Sequence, residues 1–464
     1  MNWNPTWICP SNDLGDPAAV FGTSFVFEKK ITHANLTITA MGVYEARLNG
    51  RRVGQFVMAP GWTSYHKRLQ YQEYDITDLL TNGKNEIEVT VGKGWYRSPL
   101  PGWLGCAYQD ELRSRPCGLA AQITLTFEDG SSKILSTNES WKVSDGPVRF
   151  SEIYDGEIYD AAKTPSLDQS VSIFDGPTDT LILQQGEEVC EQERLAVKKV
   201  FVTPNGETVL DFGQNMTGYV ELFVNAKAGD CVDLSFAEVM DKEGNFYTEN
   251  YRSAKAQYHY ICKDGVQTWH PSLTFYGFRY IRINDFPGGI GCVKPENFTA
   301  IAVHSNMKRT GFLSSSNTLL NQLFSNIIWG QKGNFLDVPT DCPQRDERLG
   351  WTGDAQVFVR TACLNYDAEK FFTKWLADLA SDQHDDGYVG HVIPDLLQNP
   401  QASSAWGDAA AICPWQVYLA FGNKQILKNQ YQSMKKWIDY ITSTTTTKYL
   451  WTGGTHYGDW LGLD

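Results

Sequence analysis

From about residue 20 to residue 305, apolar and polar positions alternate with a period of two over short segments. That is the pattern of strands with one buried and one wet face. In Asn85-Glu-Ile-Glu-Val-Thr-Val, the side chains of Ile87, Val89 and Val91 share one face while Glu86, Glu88 and Thr90 share the other. Leu36-Thr-Ile-Thr-Ala, Ala121-Gln-Ile-Thr-Leu-Thr-Phe and Tyr219-Val-Glu-Leu-Phe-Val repeat the pattern. Asn49-Gly50, Asn82-Gly83, Asp129-Gly130 and Asn205-Gly206 punctuate them as hairpin turns. After about residue 308 the period becomes helical. Leu319, Leu320, Leu323, Ile327 and Ile328 recur at three-to-four spacing behind a Ser314-Ser-Ser-Asn capping cluster. Segments starting at Ala368 and Ala409, and a third from Ile426 to Ile441, continue the helical pattern.

The period switch predicts a multidomain β + α chain, with two antiparallel β-sandwich domains followed by helices joined by long, Trp-bearing loops around a site. A length of 464 residues suits about three domains, placed at 1–192, 193–307 and 308–464, with the irregular, polar stretch 160–200 separating the two β blocks. Composition narrows the function. A net charge of −14 repels phosphate backbones and anionic lipid, so neither a nucleic acid nor a membrane surface is an expected partner. The 15 Trp, 22 Tyr and 23 Phe provide ring surface suited to stacking on sugars. Ten dispersed cysteines, without CxxC or zinc-type spacing, read as reduced, buried thiols. The first residues have no basic segment followed by an apolar one, which predicts a soluble, cytoplasmic protein.

Chemistry concentrates in Asp337-Val-Pro-Thr-Asp341-Cys-Pro-Gln-Arg345-Asp346-Glu347-Arg348-Leu-Gly-Trp351-Thr-Gly-Asp354, where five carboxylates and two guanidiniums fall within 18 residues. Prolines and glycines keep much of the segment out of regular helix, so its acids can be aimed into a cavity. Glycosidic hydrolysis needs one carboxylic acid to protonate the leaving oxygen and one carboxylate to activate water or attack the sugar. Glu347 is the candidate acid, crowded by Asp341, Asp346 and Asp354 beside Trp351, with Arg345 and Arg348 available for sugar hydroxyls or for restraining the other carboxylates. The alternative is a solvated loop or structural ion-pair network, against which the interleaved Cys342, Leu349 and Trp351 favour burial. The arginines argue against a metal. Ser403-Ser-Ala-Trp406-Gly-Asp408 and His456-Tyr-Gly-Asp459-Trp460 each set a Trp beside Gly and Asp, a combination that stacks a sugar face and hydrogen-bonds its hydroxyls. His384 and His391 are weaker candidates, His391 being equally well read as structural.

The 18-residue segment resembles the signature of the bacterial α-L-rhamnosidases, glycoside hydrolase family 78. Val43-Tyr-Glu-Ala-Arg-Leu-Asn-Gly, Ala59-Pro-Gly-Trp-Thr-Ser-Tyr and Gly94-Trp-Tyr resemble that family's N-terminal β-domain. Leu210-Asp-Phe-Gly-Gln-Asn-Met-Thr-Gly-Tyr-Val and Tyr276-Gly-Phe-Arg-Tyr resemble its second β-domain. The resemblance implies the first part of an (α/α)6 barrel after residue 308. It also implies cofactor-free, inverting hydrolysis of terminal α-L-rhamnose from rhamnose-containing glycosides. Carried over by position, Glu347 is the general acid, Asp341, Arg345 and Asp354 hold rhamnose hydroxyls, and Trp351, Trp406 and Trp460 form aromatic walls. The family's general base is a later glutamate, expected beyond Asp464, so the 464 residues alone are expected to be inactive and to expose apolar barrel surface. Were residues 347–354 one straight helix, Glu347 and Asp354 would lie about 10 Å apart along its axis, slightly long for an inverting pair, so Asp354 is read as substrate-binding. The competing reading is a non-catalytic carbohydrate-binding protein.

Overall fold

The computed structural model describes residues 3–103, 110–112, 114–398 and 401–461. Cys106 lies outside them. The first β-domain is one long strand path, running Leu181–Leu183, Leu69–Asp75, Ile31–Met41, Gly118–Phe127, Trp7–Pro10, Gln169–Phe174, Lys142–Asp145, Ala19–Phe27, Gly83–Gly92, Val43–Leu48 and Arg51–Arg52. The alternation read at 85–91 is realised there: Ile87, Val89 and Val91 are buried, whereas Glu86 is exposed and Glu88 and Thr90 are half-buried.

The second sheet runs Val148–Glu152, Gly156–Asp160, Gln257–Ile261, Cys231–Ala237, Tyr276–Asp285, Thr208–Ala226, Phe298–Ser305 and Val189–Ala196. Pairing is antiparallel except between Gly156–Asp160 and Gln257–Ile261 and between Leu181–Leu183 and Leu69–Asp75. The chain therefore enters the second sheet at Val148, long before residue 193. The stretch 160–200, read as irregular, carries the strands Gln169–Phe174, Leu181–Leu183 and Val189–Ala196. Residue 193 lies inside the last of these, which pairs along Phe298–Ser305 of the second sheet.

Among the described residues the helical region holds Thr318–Asn334, Thr352–Asn365, Glu369–Asp382, Ala409–Phe421 and Lys424–Thr444. Asn317 caps the first by accepting from the N–H groups of Leu319 and Leu320. Helix Glu369–Asp382 buries Phe371, Phe372, Trp375, Leu376 and Leu379 on one face. The apolar stripe of the first helix behaves otherwise: Ile328 is buried, but Leu319, Leu320 and Leu323 are 77%, 48% and 54% exposed. No helix of the described residues is long and apolar enough to cross a membrane. The nine described cysteines are free thiols; Cys190, Cys262, Cys342, Cys363 and Cys413 are buried, but Cys292 on a surface turn is exposed, contrary to the reading of the cysteines as buried.

Two buried polar features join the β and α parts. Lys374, 1% exposed on helix Glu369–Asp382, lies 3.0 Å from Asp337 and 3.9 Å from Asp378 and donates to the carbonyl of Trp62. Arg68 of the first β-domain also pairs with Asp378, at 2.9 Å.

Glu157, 2% exposed in the second sheet, accepts from the N–H of Leu273 at 3.3 Å. Burial pushes its carboxyl up to about 8 from an ordinary 4.5. The folded chain thus retains a proton that the unfolded chain has released, and stability falls as pH rises from 4.5 through 8. For one such group the slope is about 1.4 kcal/mol per pH unit. Glu157→Gln is expected to flatten the pH dependence of unfolding across that window by up to this amount, measured by urea denaturation at several pH values. An unchanged slope would show that Glu157 is ionised in the folded chain.

Candidate active site

Apart from the two-residue strand Val338–Pro339, the segment 337–351 is irregular, in keeping with its prolines and glycines, and helix Thr352–Asn365 begins only after Trp351. Residues 347–354 are therefore not one straight helix, and the axial spacing drawn from that assumption does not apply. Asp341 holds the segment closed on itself. Its N–H donates to the carbonyl of Leu349 and its Oδ1 accepts from the N–H of Leu349, both at 3.0 Å.

Arg348, read as able to touch sugar, is 1% exposed and donates instead to the backbone carbonyls of Ile153 and Phe275, at 2.9 and 2.8 Å, and to those of Gln344 and Arg345. Tyr154 of the β-region donates to the carbonyl of Glu347 at 2.6 Å. Glu347 is consequently clamped on its backbone side by residues nearly 200 positions away.

The Glu347 side chain, 10% exposed, gathers three donors. Trp351 Nε1 donates to Oε1 at 2.9 Å, Arg345 Nη2 lies 3.0 Å from Oε2, and Arg252 Nη2 donates to Oε2. Arg345 Nη2 also pairs with Asp341 Oδ2 at 3.2 Å. Asp341, Cys342 and Glu347 bring ligating atoms within 4.8 Å of one another, with the Arg345 guanidinium against the two carboxylates. Burial first and the Glu347 charge second push the Asp341 carboxyl up to about 6. Asp354, in the first turn of helix Thr352–Asn365, is also pushed up, chiefly by burial.

Asp341 and Asp354 open onto a cavity of about 570 Å³ whose lining includes Gln331, Trp406, Asp459 and Trp460. That volume is in the range of small-molecule sites. Glu347, Arg345 and Trp351 are not among its lining residues; Arg345 connects Asp341 to Glu347, and Trp351 contacts Glu347. The two Trp/Gly/Asp segments meet there, since Ser403 Oγ donates to the carbonyl of Thr455 at 3.0 Å and the N–H of Ser404 to His456 Nδ1 at 3.0 Å. Trp406, Tyr457 and Trp460 form a chain of rings, with centroids 4.6 and 5.5 Å apart. Trp406 lies directly over Gly353, where a Cβ would be 2.7 Å from the indole.

Asp408 does not face the cavity chemistry: its oxygens accept from Trp437 Nε1 at 2.9 Å and from the N–H of Ala405 at 2.8 Å. His391 is buried within 3.2 Å of the Tyr457 hydroxyl, and His384 pairs with Asp395 at 3.1 Å. Sequence reasoning missed Arg252, Ser253 and Tyr154, which come from the β-domains and carry no local motif.

Three family models match consecutive parts of the chain: an α-L-rhamnosidase N-terminal domain over residues 29–197, a bacterial α-L-rhamnosidase concanavalin-like domain over 201–304, and a bacterial α-L-rhamnosidase six-hairpin glycosidase domain over 308–464. The chain belongs to the bacterial α-L-rhamnosidase family. An α-L-rhamnosidase of Formosa agariphila is 38% identical over 451 residues, which are 94% of this chain and 48% of that relative. One from Streptomyces avermitilis is 39% identical over 449 residues, 94% of this chain and 42% of that relative. The chain thus spans about half the length of the curated relatives it matches. Among solved structures, native α-L-rhamnosidase from Aspergillus terreus superposes with a TM-score of 0.92 at 38% identity, over 99% of this chain and 55% of the other. The Streptomyces avermitilis α-L-rhamnosidase complexed with L-rhamnose gives 0.90 at 38% identity, over 96% and 44%. The order of two β-domains and a six-hairpin helical domain is thereby that of the family.

Proposed function

We propose that these residues build the rhamnose-binding and proton-donating part of an inverting α-L-rhamnosidase, which releases terminal α-L-rhamnose from rhamnosides. Glu347 is the general acid that protonates the glycosidic oxygen. Asp341, Arg345 and Asp354 hold the sugar hydroxyls, while Trp351, Trp406 and Trp460 wall the sugar. The observation that carries this reading is the junction of a carboxylate cluster with an aromatic-walled cavity, Asp341 belonging to both. An inverting mechanism needs room for a water between its two carboxyl groups, about 6.5–9.5 Å. Asp341 comes within 4.8 Å of Glu347, so it is assigned to binding rather than to water activation.

The test is a calorimetric titration of the chain with L-rhamnose. Saturable binding is expected, weakened about tenfold or more by Trp406→Ala, which removes a stacking face over Gly353. Absence of rhamnose binding would overturn the reading.

A further inference from the structure

The acid stands at a three-way junction, and two of its neighbours come from the β-domains. Arg252 Nη2 donates to Glu347 Oε2, and Arg252 Nε lies 3.0 Å from Asp346 Oδ1. Its backbone is held at φ 58° and ψ −114°, a conformation that L side chains rarely adopt and that persists where the surroundings enforce it. The flanking residues do so. Tyr251, 1% exposed, donates to the carbonyl of Gly277 at 2.6 Å, and Ser253 Oγ donates to Asp346 Oδ2 at 2.6 Å.

From the first β-domain, Gly102 packs directly on the same segment. Its N–H donates to the carbonyl of Asp346 at 3.0 Å, and a Cβ there would lie 2.7 Å from Asp346 Cβ. This close approach presents Trp103, whose ring centroid is 5.6 Å from the Arg252 guanidinium carbon. Trp103 is 47% exposed and the Arg252 side chain 43% exposed, beside an acid group that is itself nearly buried.

We infer that Trp103 and Arg252 form the site for the leaving group. The ligand is one with a flat apolar face that carries hydroxyl groups, either an aromatic ring or a second sugar. The geometry requires the leaving group to be near the acid, because the acid must reach the glycosidic oxygen. Glu347 Oε1 is engaged by Trp351, a wall of the proposed rhamnose pocket, and Oε2 is shared between Arg345, assigned to the rhamnose hydroxyls, and the half-exposed Arg252, which comes from the β-region. An indole exposed next to a guanidinium gives the leaving group a stacking surface and hydrogen-bond donors together. Specificity for what rhamnose is attached to is then set by the β-domains, and rhamnose itself is recognised by the helical domain.

This inference rests on the rhamnoside reading of the cavity, and binding separates the two. L-rhamnose, phenyl 1-thio-α-L-rhamnoside and a rhamnosyl-glucose thio-disaccharide, whose sulfur linkages resist hydrolysis, are titrated against the chain and against Trp103→Ala. The expected result is a rhamnose Kd within about twofold of the parent and a Kd for at least one thioglycoside raised about tenfold. A larger loss for the phenyl compound identifies an aromatic leaving group, and a larger loss for the disaccharide identifies a sugar. Rhamnose and both thioglycosides changing by the same factor, or none changing, would overturn the inference while leaving the rhamnoside reading intact. Failure of the parent chain to bind rhamnose would overturn both.

Discussion

On the proposed mechanism, Glu347→Gln is expected to lower turnover of a rhamnosyl disaccharide by about 10²–10⁴-fold, the usual contribution of a positioned general acid, while the Kd for L-rhamnose stays within a few-fold. The amide preserves the shape of the side chain and can still accept from Trp351 Nε1, which now donates to Oε1 at 2.9 Å. It cannot deliver a proton to the leaving oxygen. The segment is unaffected, because its position depends on backbone contacts, the Arg348 donors to Ile153 and Phe275 and the Tyr154 hydroxyl on the carbonyl of residue 347. The variant is assayed both in the 464-residue chain and in a version carrying the remaining length of its relatives. Loss of rhamnose binding along with turnover would assign Glu347 to holding the sugar.

The second large effect is on stability. Lys374→Met is expected to cost about 3–5 kcal/mol, because it leaves carboxylates buried without their cation. Asp337 is 3% exposed and Asp378 is fully buried, its carboxyl pushed up to about 6 chiefly by burial. Arg68 continues to pair with Asp378, but Asp337 loses its 3.0 Å partner. Lys374 also donates to the carbonyls of Trp62 and Asp337, so the substitution loosens the seam between the first β-domain and the helices. Urea denaturation measures the loss, and adding Asp337→Asn is expected to recover part of it. A loss below about 1 kcal/mol would show that this ion pair is replaced by solvent.

Much of the architecture was legible because it depends on local periodicity. Ile87, Val89 and Val91 declare a strand face, and Phe371, Phe372, Trp375 and Leu379 declare a helix face, before any tertiary contact is known. The first helix shows the limit of the same signal: spacing identifies Leu319, Leu320 and Leu323 as one stripe, but what covers a stripe is a tertiary matter, and here they are exposed.

The candidate site divides in the same way. Asp341, Arg345, Glu347 and Trp351 lie within one segment, so composition and spacing point to them, and the Trp406 and Trp460 segments could be matched by their shared Trp/Gly/Asp pattern. Arg252 and Tyr154 could not be found this way. They meet Glu347 from 95 and 193 residues away, through a strained turn and a strand connection that look unremarkable as sequence. Arg348 misled for the opposite reason, since a charge in an acidic run reads as solvated or functional, whereas its five donors suit the converging carbonyls of a packed junction.

The most direct test of Glu347 as proton donor compares leaving groups. Turnover of 2,4-dinitrophenyl α-L-rhamnoside, whose leaving group departs without protonation, is measured beside that of an unactivated alkyl α-L-rhamnoside, for the version carrying the remaining length of its relatives and for Glu347→Gln in that version. Proton donation predicts a large loss on the alkyl substrate and a small one on the dinitrophenyl substrate. An equal loss on both would contradict it.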